Sequence, residues 1–465
     1  MAESSPTRPG PLDILRRLLE KYATRGPRYT SYPTAPQFKT DFDEHGILEA
    51  WRETNRDLRR GISLYLHVPF CHSRCLYCGC FTEIGHGPEV TERYVAAMLR
   101  ESARIGDIID RSRPVEQLAV GGGTPTFLRP EQMRTLVEGL AARFTISAEA
   151  ERSIEVDPRR VDTAYLDLLL ALRFNRISFG VQDLDTQVQR NVARVLHEQN
   201  LVDLIEHLRS KGFHAINLDL IYGLPGQTEA TFRRTVGRII EIRPSRVALF
   251  GYAHVPWVSP HQHALEPLGL PGPEERTRLF GQAYGQLLDA GYRHVGMDHF
   301  AQSDDELIRA LENRTLTRNF MGYSTRRGLD LAGVGVSSIS AVDGTYTQNE
   351  KNLGSYLEKA GGSTWIRGLQ LGSEDLLRRE IILDLFCNFF LDIAALELRF
   401  AFDFKNHFAV EMERLVSMEA DGLLHVDGAS IQVTDLGRFF IRNVCMCFDQ
   451  YLSAENRQIV YSRTV

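Results

Sequence analysis

From about residue 60 the chain alternates short β-branched runs with longer amphipathic stretches. The runs are Leu64–Val68, Gln117–Val120, Ser153–Val156, Arg176–Phe179, Ile216–Ile221 and Arg246–Phe250. Between them, stretches such as Thr91–Ile109 and Pro130–Arg143 are compatible with helix. Strands separated by helices in this way predict βα units around a parallel sheet. Six strands fall short of a closed eight-stranded barrel, so the pattern predicts an α/β fold built on an open, partial (β/α)6 barrel. From about Pro271 to Gly362 the alternation loosens, and further short elements are assigned to the same unit. From Ser373 the pattern turns helical, through Arg378–Cys387 and Lys405–Met418. Asp421–Val433 then reads as a turn and hairpin, and a last helix starts at Asp435. Three parts are expected: an N-terminal segment over residues 1–45, a catalytic domain over 46–372, and a small, mainly helical, winged-helix-like domain over 373–465.

Composition narrows the class. With 43% hydrophobic and 25% charged residues the chain reads as a globular protein. A net charge of −6 argues against nucleic acid as the main partner. No apolar run approaches the roughly 18 residues of a membrane span, and Met1–Gly10 is polar, without a leader pattern. The expected location is the cytoplasm. No long coiled-coil pattern argues against a monomer. Seven cysteines, four of them within Cys71–Cys80, read as reduced ligand thiols rather than a disulfide framework.

Parallel βα folds carry their chemistry on loops at the carboxyl ends of the strands. The informative residues collect there. Cys71, Cys75 and Cys78, spaced C-x₃-C-x₂-C, follow the first run, and Gly121-Gly122-Gly123-Thr124-Pro125 follows the second. Glu155 closes the third beside Asp157, and Gln182-Asp183 follows the fourth. Asp219 sits late in the fifth, and Tyr252-Ala253-His254 follows the sixth. Three thiolates on one loop leave an iron–sulfur cubane one protein ligand short, with its fourth iron open to a small molecule. Zinc is the competing reading, with Cys80 as a local fourth ligand, although zinc usually takes two separated pairs. Tyr77 is placed either to stack on an adenine or simply to fill the loop. The triple glycine permits close approach of the main chain but lacks the dinucleotide-binding spacing. Glu155 and Asp219 suit an amine or ribose hydroxyls, with a structural ion pair as the plainer alternative. Cys445-Met446-Cys447, inside the apolar run Ile441–Phe448, reads as buried thiols. His67, His72, His254 and His299 read as structural histidines.

The run Cys71-His72-Ser73-Arg74-Cys75-Leu76-Tyr77-Cys78-Gly79-Cys80, preceded by His67-Val68-Pro69-Phe70, resembles the oxygen-independent coproporphyrinogen III oxidase family of radical S-adenosylmethionine (SAM) enzymes. The resemblance runs nearly the whole length. It includes Arg28-Tyr29-Thr30-Ser31-Tyr32-Pro33, Ser153–Pro158, Gly180–Asp183, Asp219–Pro225, Gly296–Ala301, Asn319–Tyr323 and Arg442–Asp449. It implies that Cys71, Cys75 and Cys78 hold one [4Fe–4S] cluster, that Cys80 does not, and that two SAM molecules bind. Tyr65, Gly122, Glu155 and Ile339 then surround the cluster-bound SAM. Tyr77, Gly123, Thr124, Gln182, Arg194, Asp219 and Ala253 surround the second. The implied catalytic group is Cys71, Cys75, Cys78, Tyr65 and Glu155. This chain departs from the family at Tyr77, usually phenylalanine, and at Val120, usually tryptophan.

The implied reaction begins when a low-potential donor reduces the cluster and SAM is cut to a 5′-deoxyadenosyl radical. That radical takes a hydrogen from the β-carbon of a coproporphyrinogen III propionate. Carbon dioxide and one electron leave, the latter to an acceptor the sequence does not name, and a vinyl group remains. Two rounds give protoporphyrinogen IX. Four substrate carboxylates call for arginines, and Arg28 and Arg318 are the candidates, with Arg28–Thr34 folding over the substrate. A haem-binding chaperone and a radical-SAM enzyme acting on haem are the related alternatives. The Arg-Tyr-Thr-Ser-Tyr-Pro segment and the second C-x-C favour the oxidase over the chaperone.

Overall fold

The computed structural model describes residues 11–452, 461–462 and 464, with side chains from Arg17 onward. Met1–Gly10, on which the leader reading rests, lies outside them. The described chain falls into two compact units. The larger holds Gln37–Arg309 and Thr325–Leu371; the smaller holds the chain up to Pro36, Ala310–Ser324, and Gly372 onward. The N-terminal segment up to Pro36 thus shares a unit with the C-terminal region.

All six expected runs are strands of the larger unit: β1 (Ile62–Val68), β2 (Pro114–Gly122), β3 (Thr145–Val156), β4 (Arg176–Gln182), β5 (Ile216–Tyr222) and β6 (Arg246–Gly251). Six more complete the sheet: β7 (Tyr292–Gly296), β8 (His299–Gln302), β9 (Asp330–Val334), β10 (Ile339–Val342), β11 (Thr345–Asn349) and β12 (Trp365–Gln370). The order is β12-β11-β10-β9-β1-β2-β3-β4-β5-β6-β8-β7, linear rather than cyclic, as an open barrel requires. The seven strands from β9 to β6 are all parallel. β1 reads Ile-Ser-Leu-Tyr-Leu-His-Val and is buried on both faces, as a strand covered on two sides must be. Against the sheet lie the helices Pro88–Ile108 and Pro130–Ala141, each begun by a proline at its first position. They bury Tyr94, Met98 and Ile105, and Met133, Leu136 and Leu140.

Of the six strands that the expected runs did not include, β9 is the one that reaches the first strand. It pairs with β1 on the side away from β2, with Tyr65 opposite Gly333. A buried ion pair seats it: Arg113 Nη2 donates to Asp330 Oδ2 at 2.5 Å and Arg113 Nε donates to the Arg60 carbonyl at 3.0 Å.

In the smaller unit, the helix Ser373–Asn388 is followed by a three-stranded antiparallel sheet of Phe390–Asp392, Leu424–Val426 and Ser430–Val433. The last helix begins later than Asp435, as a 3₁₀ turn at Gly437–Phe440 running into Ile441–Met446. Cys387, Cys445 and Cys447 are buried thiols. The N-terminal segment is pinned to the last helix. Arg442 Nε donates to the Pro27 carbonyl at 2.8 Å, and Arg442 Nη2 also donates to the Gly26 carbonyl. Asn443 Nδ2 reaches the Tyr22 carbonyl at 3.0 Å, and the Tyr29 hydroxyl donates to Asp449 at 3.0 Å. Among the described residues no helix is long and apolar enough to cross a membrane.

Candidate active site

Seven parallel strands open onto one rim, and what leaves β1 there is the cysteine loop. Its course is fixed by its own backbone: Leu76 N–H donates to the Val192 carbonyl at 3.0 Å. His261 Nε2 and Gln262 Nε2 hold the carbonyls of Cys78 and Tyr77 at 2.8 and 2.9 Å. Cys75 is buried, Cys71 and Cys78 are half-buried, and Cys80 is exposed. Two guanidiniums face Cys75 Sγ, Arg194 Nη1 at 3.5 Å and Arg159 Nη2 at 3.9 Å. Asp157 clamps both, at 3.3 Å to Arg194 and 2.7 Å to Arg159. Arg194 Nη2 also donates to the Gly180 carbonyl at 2.6 Å. Cys71 Sγ lies 3.3 Å from Thr124 Oγ1.

The glycine loop leaving β2 meets the cysteine loop directly, through Gly123 N–H to the Val68 carbonyl at 2.8 Å and Thr124 N–H to the Phe70 carbonyl at 2.9 Å. A side chain at Gly123 would strike the Pro69 carbonyl oxygen at 2.4 Å and Cys71 Sγ at 3.0 Å. Gly122 alone of the three has a left-handed backbone, φ +117°, and a Cβ there would meet the His67 ring at 2.7 Å. A Cβ on Gly121 would sit 2.9 Å from the Glu155 carboxylate. The glycines therefore let the cysteine loop, His67 and Glu155 converge on one small space.

Glu155 Oε2 accepts from Gly122 N–H at 3.1 Å. Burial, and then the charge of Asp219, push its carboxyl up to about 7. Asp219 accepts from Asn217 Nδ2 at 2.7 Å and Ser178 Oγ at 3.1 Å, and burial pushes it up to about 6. Tyr65 Oη lies 3.1 Å from His67 Nδ1, and His67 Nε2 lies 3.3 Å from the Phe81 carbonyl. Burial holds His67 down at about 4, so it is neutral, with Nε2 donating to Phe81 and Nδ1 accepting from Tyr65.

Gln182 ends β4 at a bulge with φ +71°. A bulge turns the local side chain out of the alternating pattern, and here Gln182 Oε1 is buried without a donor among the described residues. Tyr77 packs beside Val192, Leu224, Tyr252 and Leu265. Ala253 is half-buried just beyond β6, and Ile339 is half-buried at the start of β10. Arg28 and Arg318 lie in the smaller unit. Asp183, singled out with Gln182, is a structural acceptor for Gln227 Nε2 at 2.6 Å and Thr235 Oγ1 at 2.6 Å. Sequence reasoning missed Arg159 and the Asp157 clamp. The signal was present in Asp157-Pro158-Arg159-Arg160, a charged turn directly after a strand.

Comparison with known proteins shows the family of the chain. Residues 65–239 match the model of the Radical SAM superfamily, and residues 371–440 match that of the HemN C-terminal domain. The chain is 42% identical to oxygen-independent coproporphyrinogen III oxidase of Escherichia coli (strain K12), over 96% of this chain and 98% of that one. It is 40% identical to the protein of that name from Synechocystis, over 98% of each. Its fold matches a solved structure described as "Coproporphyrinogen III oxidase (HemN) from Escherichia coli is a Radical SAM enzyme" with a TM-score of 0.88. That match has 42% identity and covers 91% of this chain and 98% of the other. By full-length identity and shared fold, the chain belongs to the oxygen-independent coproporphyrinogen III oxidase family of the radical SAM superfamily.

Proposed function

We propose that this chain catalyses the oxygen-independent oxidative decarboxylation of two propionate side chains of coproporphyrinogen III to vinyl groups, giving protoporphyrinogen IX. The observation that carries this reading is 42% identity along 96% of the chain to an enzyme of that name. Membership of the radical SAM superfamily implies a [4Fe–4S] cluster and SAM, which when bound supply, by one-electron reduction of SAM, a carbon radical able to take a hydrogen atom.

The residues present fit these groups. Three thiols on one loop, two guanidiniums against Cys75, and a glycine cradle beside Cys71 suit an anionic thiolate-bound cluster. In this reading Cys71, Cys75 and Cys78 hold the cluster, and Cys80 stays outside it. Tyr65, Gly122, Glu155 and Ile339 line the SAM bound there, with the Glu155 carboxylate taking its ammonium group. Gly122 N–H fixes the orientation of that carboxylate, and the neutral His67 fixes the Tyr65 hydroxyl. A second SAM is assigned to Tyr77, Gly123, Thr124, Gln182, Arg194, Asp219 and Ala253. The buried, donorless Gln182 Oε1 supports that assignment, because a bound ligand supplies the missing donor. Arg28 and Arg318 are assigned to substrate carboxylates, and residues 1–45, through Arg28–Thr34, cover the substrate. The partners are a low-potential electron donor and an electron acceptor, and the enzyme works as a cytoplasmic monomer. The relatives carry the oxidase name, which disfavours both the haem-binding chaperone and the haem-acting alternatives.

The test is anaerobic. The protein is reconstituted with iron and sulfide, reduced, and given SAM and coproporphyrinogen III; 5′-deoxyadenosine, CO₂ and protoporphyrin are quantified. Protoporphyrin with CO₂ release, lost in Cys71→Ala, is expected. SAM cleavage without decarboxylation would move the substrate to another tetrapyrrole. Removal of residues 1–35 should abolish turnover and spare the cluster; unchanged turnover would end the covering role.

A further inference from the structure

We propose that Arg318 is a preformed carboxylate seat in the smaller unit, made for one propionate of the tetrapyrrole; this rests on the substrate reading above. Arg318 is the middle residue of the strand Thr317–Asn319, which pairs with Gly322–Ser324 so that Arg318 stands opposite Tyr323. Its guanidinium carbon lies 4.9 Å from the centre of the Tyr323 ring and 5.4 Å from that of Phe386. Its Nε and Nη1 are buried and meet no acceptor among the described residues.

This sets Arg318 apart from its neighbours in the same unit. Arg378 reaches Glu374, Glu411 and the Phe448 carbonyl, at 2.6, 2.8 and 2.8 Å. Arg399 donates to Glu380 at 2.8 Å, and Arg442 to the Pro27 carbonyl at 2.8 Å. Arg318 is half-buried, and a partly desolvated cation normally finds such a counter-charge, because leaving its buried N–H groups bare is costly. Two ring faces offset part of that expense, but they satisfy none of the N–H donors. Nε belongs to the side-on fork of a guanidinium and Nη1 to its end-on fork, so each fork keeps an unmatched donor. A carboxylate accepts from either fork in a planar, bidentate manner.

The flanking rings indicate what the carboxylate is attached to. Tyr323 and Phe386 offer apolar surface beside the charge, which suits a carboxylate on a short alkyl arm of an aromatic-sized body rather than a freely hydrated acid. Phe386 also meets the edge of Tyr29 at 6.1 Å between centroids, and the Tyr29 hydroxyl donates to Asp449. The Arg28–Pro33 segment therefore rests on the same aromatic floor that supports Arg318.

The experiment titrates coproporphyrin III, the redox-stable four-carboxylate form, and its tetramethyl ester into cluster-reconstituted, SAM-loaded protein, following fluorescence quenching. Arg318→Ala is expected to weaken binding of the free acid at least about tenfold and to remove its advantage over the ester. Arg318→Lys should recover only part, because an ammonium is a point charge without the fork. SAM binding should not change. Arg318→Met supplies an independent readout: removing a half-buried cation whose Nε–H and Nη1–H lack acceptors among the described residues should raise the melting temperature of the ligand-free protein while binding is lost. Equal affinity of wild type for acid and ester would overturn the seat. So would wild-type affinity in Arg318→Ala, or a lower melting temperature in Arg318→Met with binding retained. Failure of the wild type both to bind coproporphyrin and to convert coproporphyrinogen would instead overturn the substrate reading itself.

Discussion

The Tyr94 hydroxyl donates to the His67 carbonyl at 2.7 Å and accepts from Val336 N–H at 2.9 Å, so one side chain ties the end of β1 to the loop between β9 and β10. Farther along the same helix, Glu101 accepts from Gly335 N–H, Asn349 Nδ2, Tyr356 Oη and Thr364 Oγ1, at 2.8, 2.6, 2.6 and 2.8 Å. This buried carboxylate is fully satisfied. Together the two residues hold the backbone that leads into Ile339 against the strand that leads into the cysteines.

Tyr94→Phe removes both bonds of the hydroxyl and leaves the His67 carbonyl and Val336 N–H buried without partners. A loss of about 2 kcal/mol in unfolding free energy is expected. SAM affinity of the cluster-loaded protein should fall by about tenfold, since 1.4 kcal/mol of misplacement is enough. Urea unfolding and equilibrium dialysis read the two effects separately, and an unchanged SAM affinity would confine Tyr94 to a structural role.

The paired acids give a pH dependence with a definite sign. Glu155 at about 7 and Asp219 at about 6 both lie above their ordinary values of 4.5 and 3.8. Folding therefore favours their protonated forms. Their contribution to stability is full at pH values below the ordinary carboxyl range and is lost as pH rises through about 6 to about 7. The melting temperature of the SAM-free protein should fall across that window, and Glu155→Gln should flatten the upper half of it. SAM binding should run the opposite way, strengthening as Glu155 ionises. A melting temperature that rises over the same window would contradict the assignment.

Arg442 secures the N-terminal segment through the carbonyls of Gly26 and Pro27. Arg442→Ala should free that segment to proteolysis near residues 26–33 while iron content holds. Turnover should drop about tenfold for the loss of anchoring worth about 1.4 kcal/mol. Peptide mapping after brief trypsin treatment, with iron analysis on the same sample, tests both halves.

Asp330→Ala leaves Arg113 as an uncompensated charge at a fully buried site. Destabilisation of about 3–5 kcal/mol is expected. The double variant Arg113→Met with Asp330→Leu should recover most of it, and a double-mutant cycle in urea measures the recovery.

The six strands from β1 to β6 were legible because each carries a β-branched, apolar run at its buried positions, nearly continuous in β1 and alternating with half-buried positions in β4 and β5. β9 escaped because Asp-Leu-Ala-Gly-Val is short and contains a glycine, and its worth as a strand comes from a partner far away in sequence. Most candidate site residues were legible from their place at strand ends. The orientation of Gln182 was not, because it depends on a bulge between β4 and β5 that no local residue type announces. Tyr94 and Glu101 were invisible for a related reason: on a helix written out alone, they read as ordinary polar positions, and only the returning chain gives them partners.

The place of β9 also has a consequence for the timing of biosynthesis. β1, which launches the cysteine loop, has one bare hydrogen-bonding edge until Asp330–Val334 have emerged from the ribosome and paired with it. Nascent chains with only the first six strands therefore present the three thiols on a loop that leaves an unfinished, adhesive edge strand. On the proposed assignment of the cluster to Cys71, Cys75 and Cys78, the strand that launches these thiols is completed only by residues some 260 positions further along the chain, so iron loading after Asp330–Val334 have been made is the expected order.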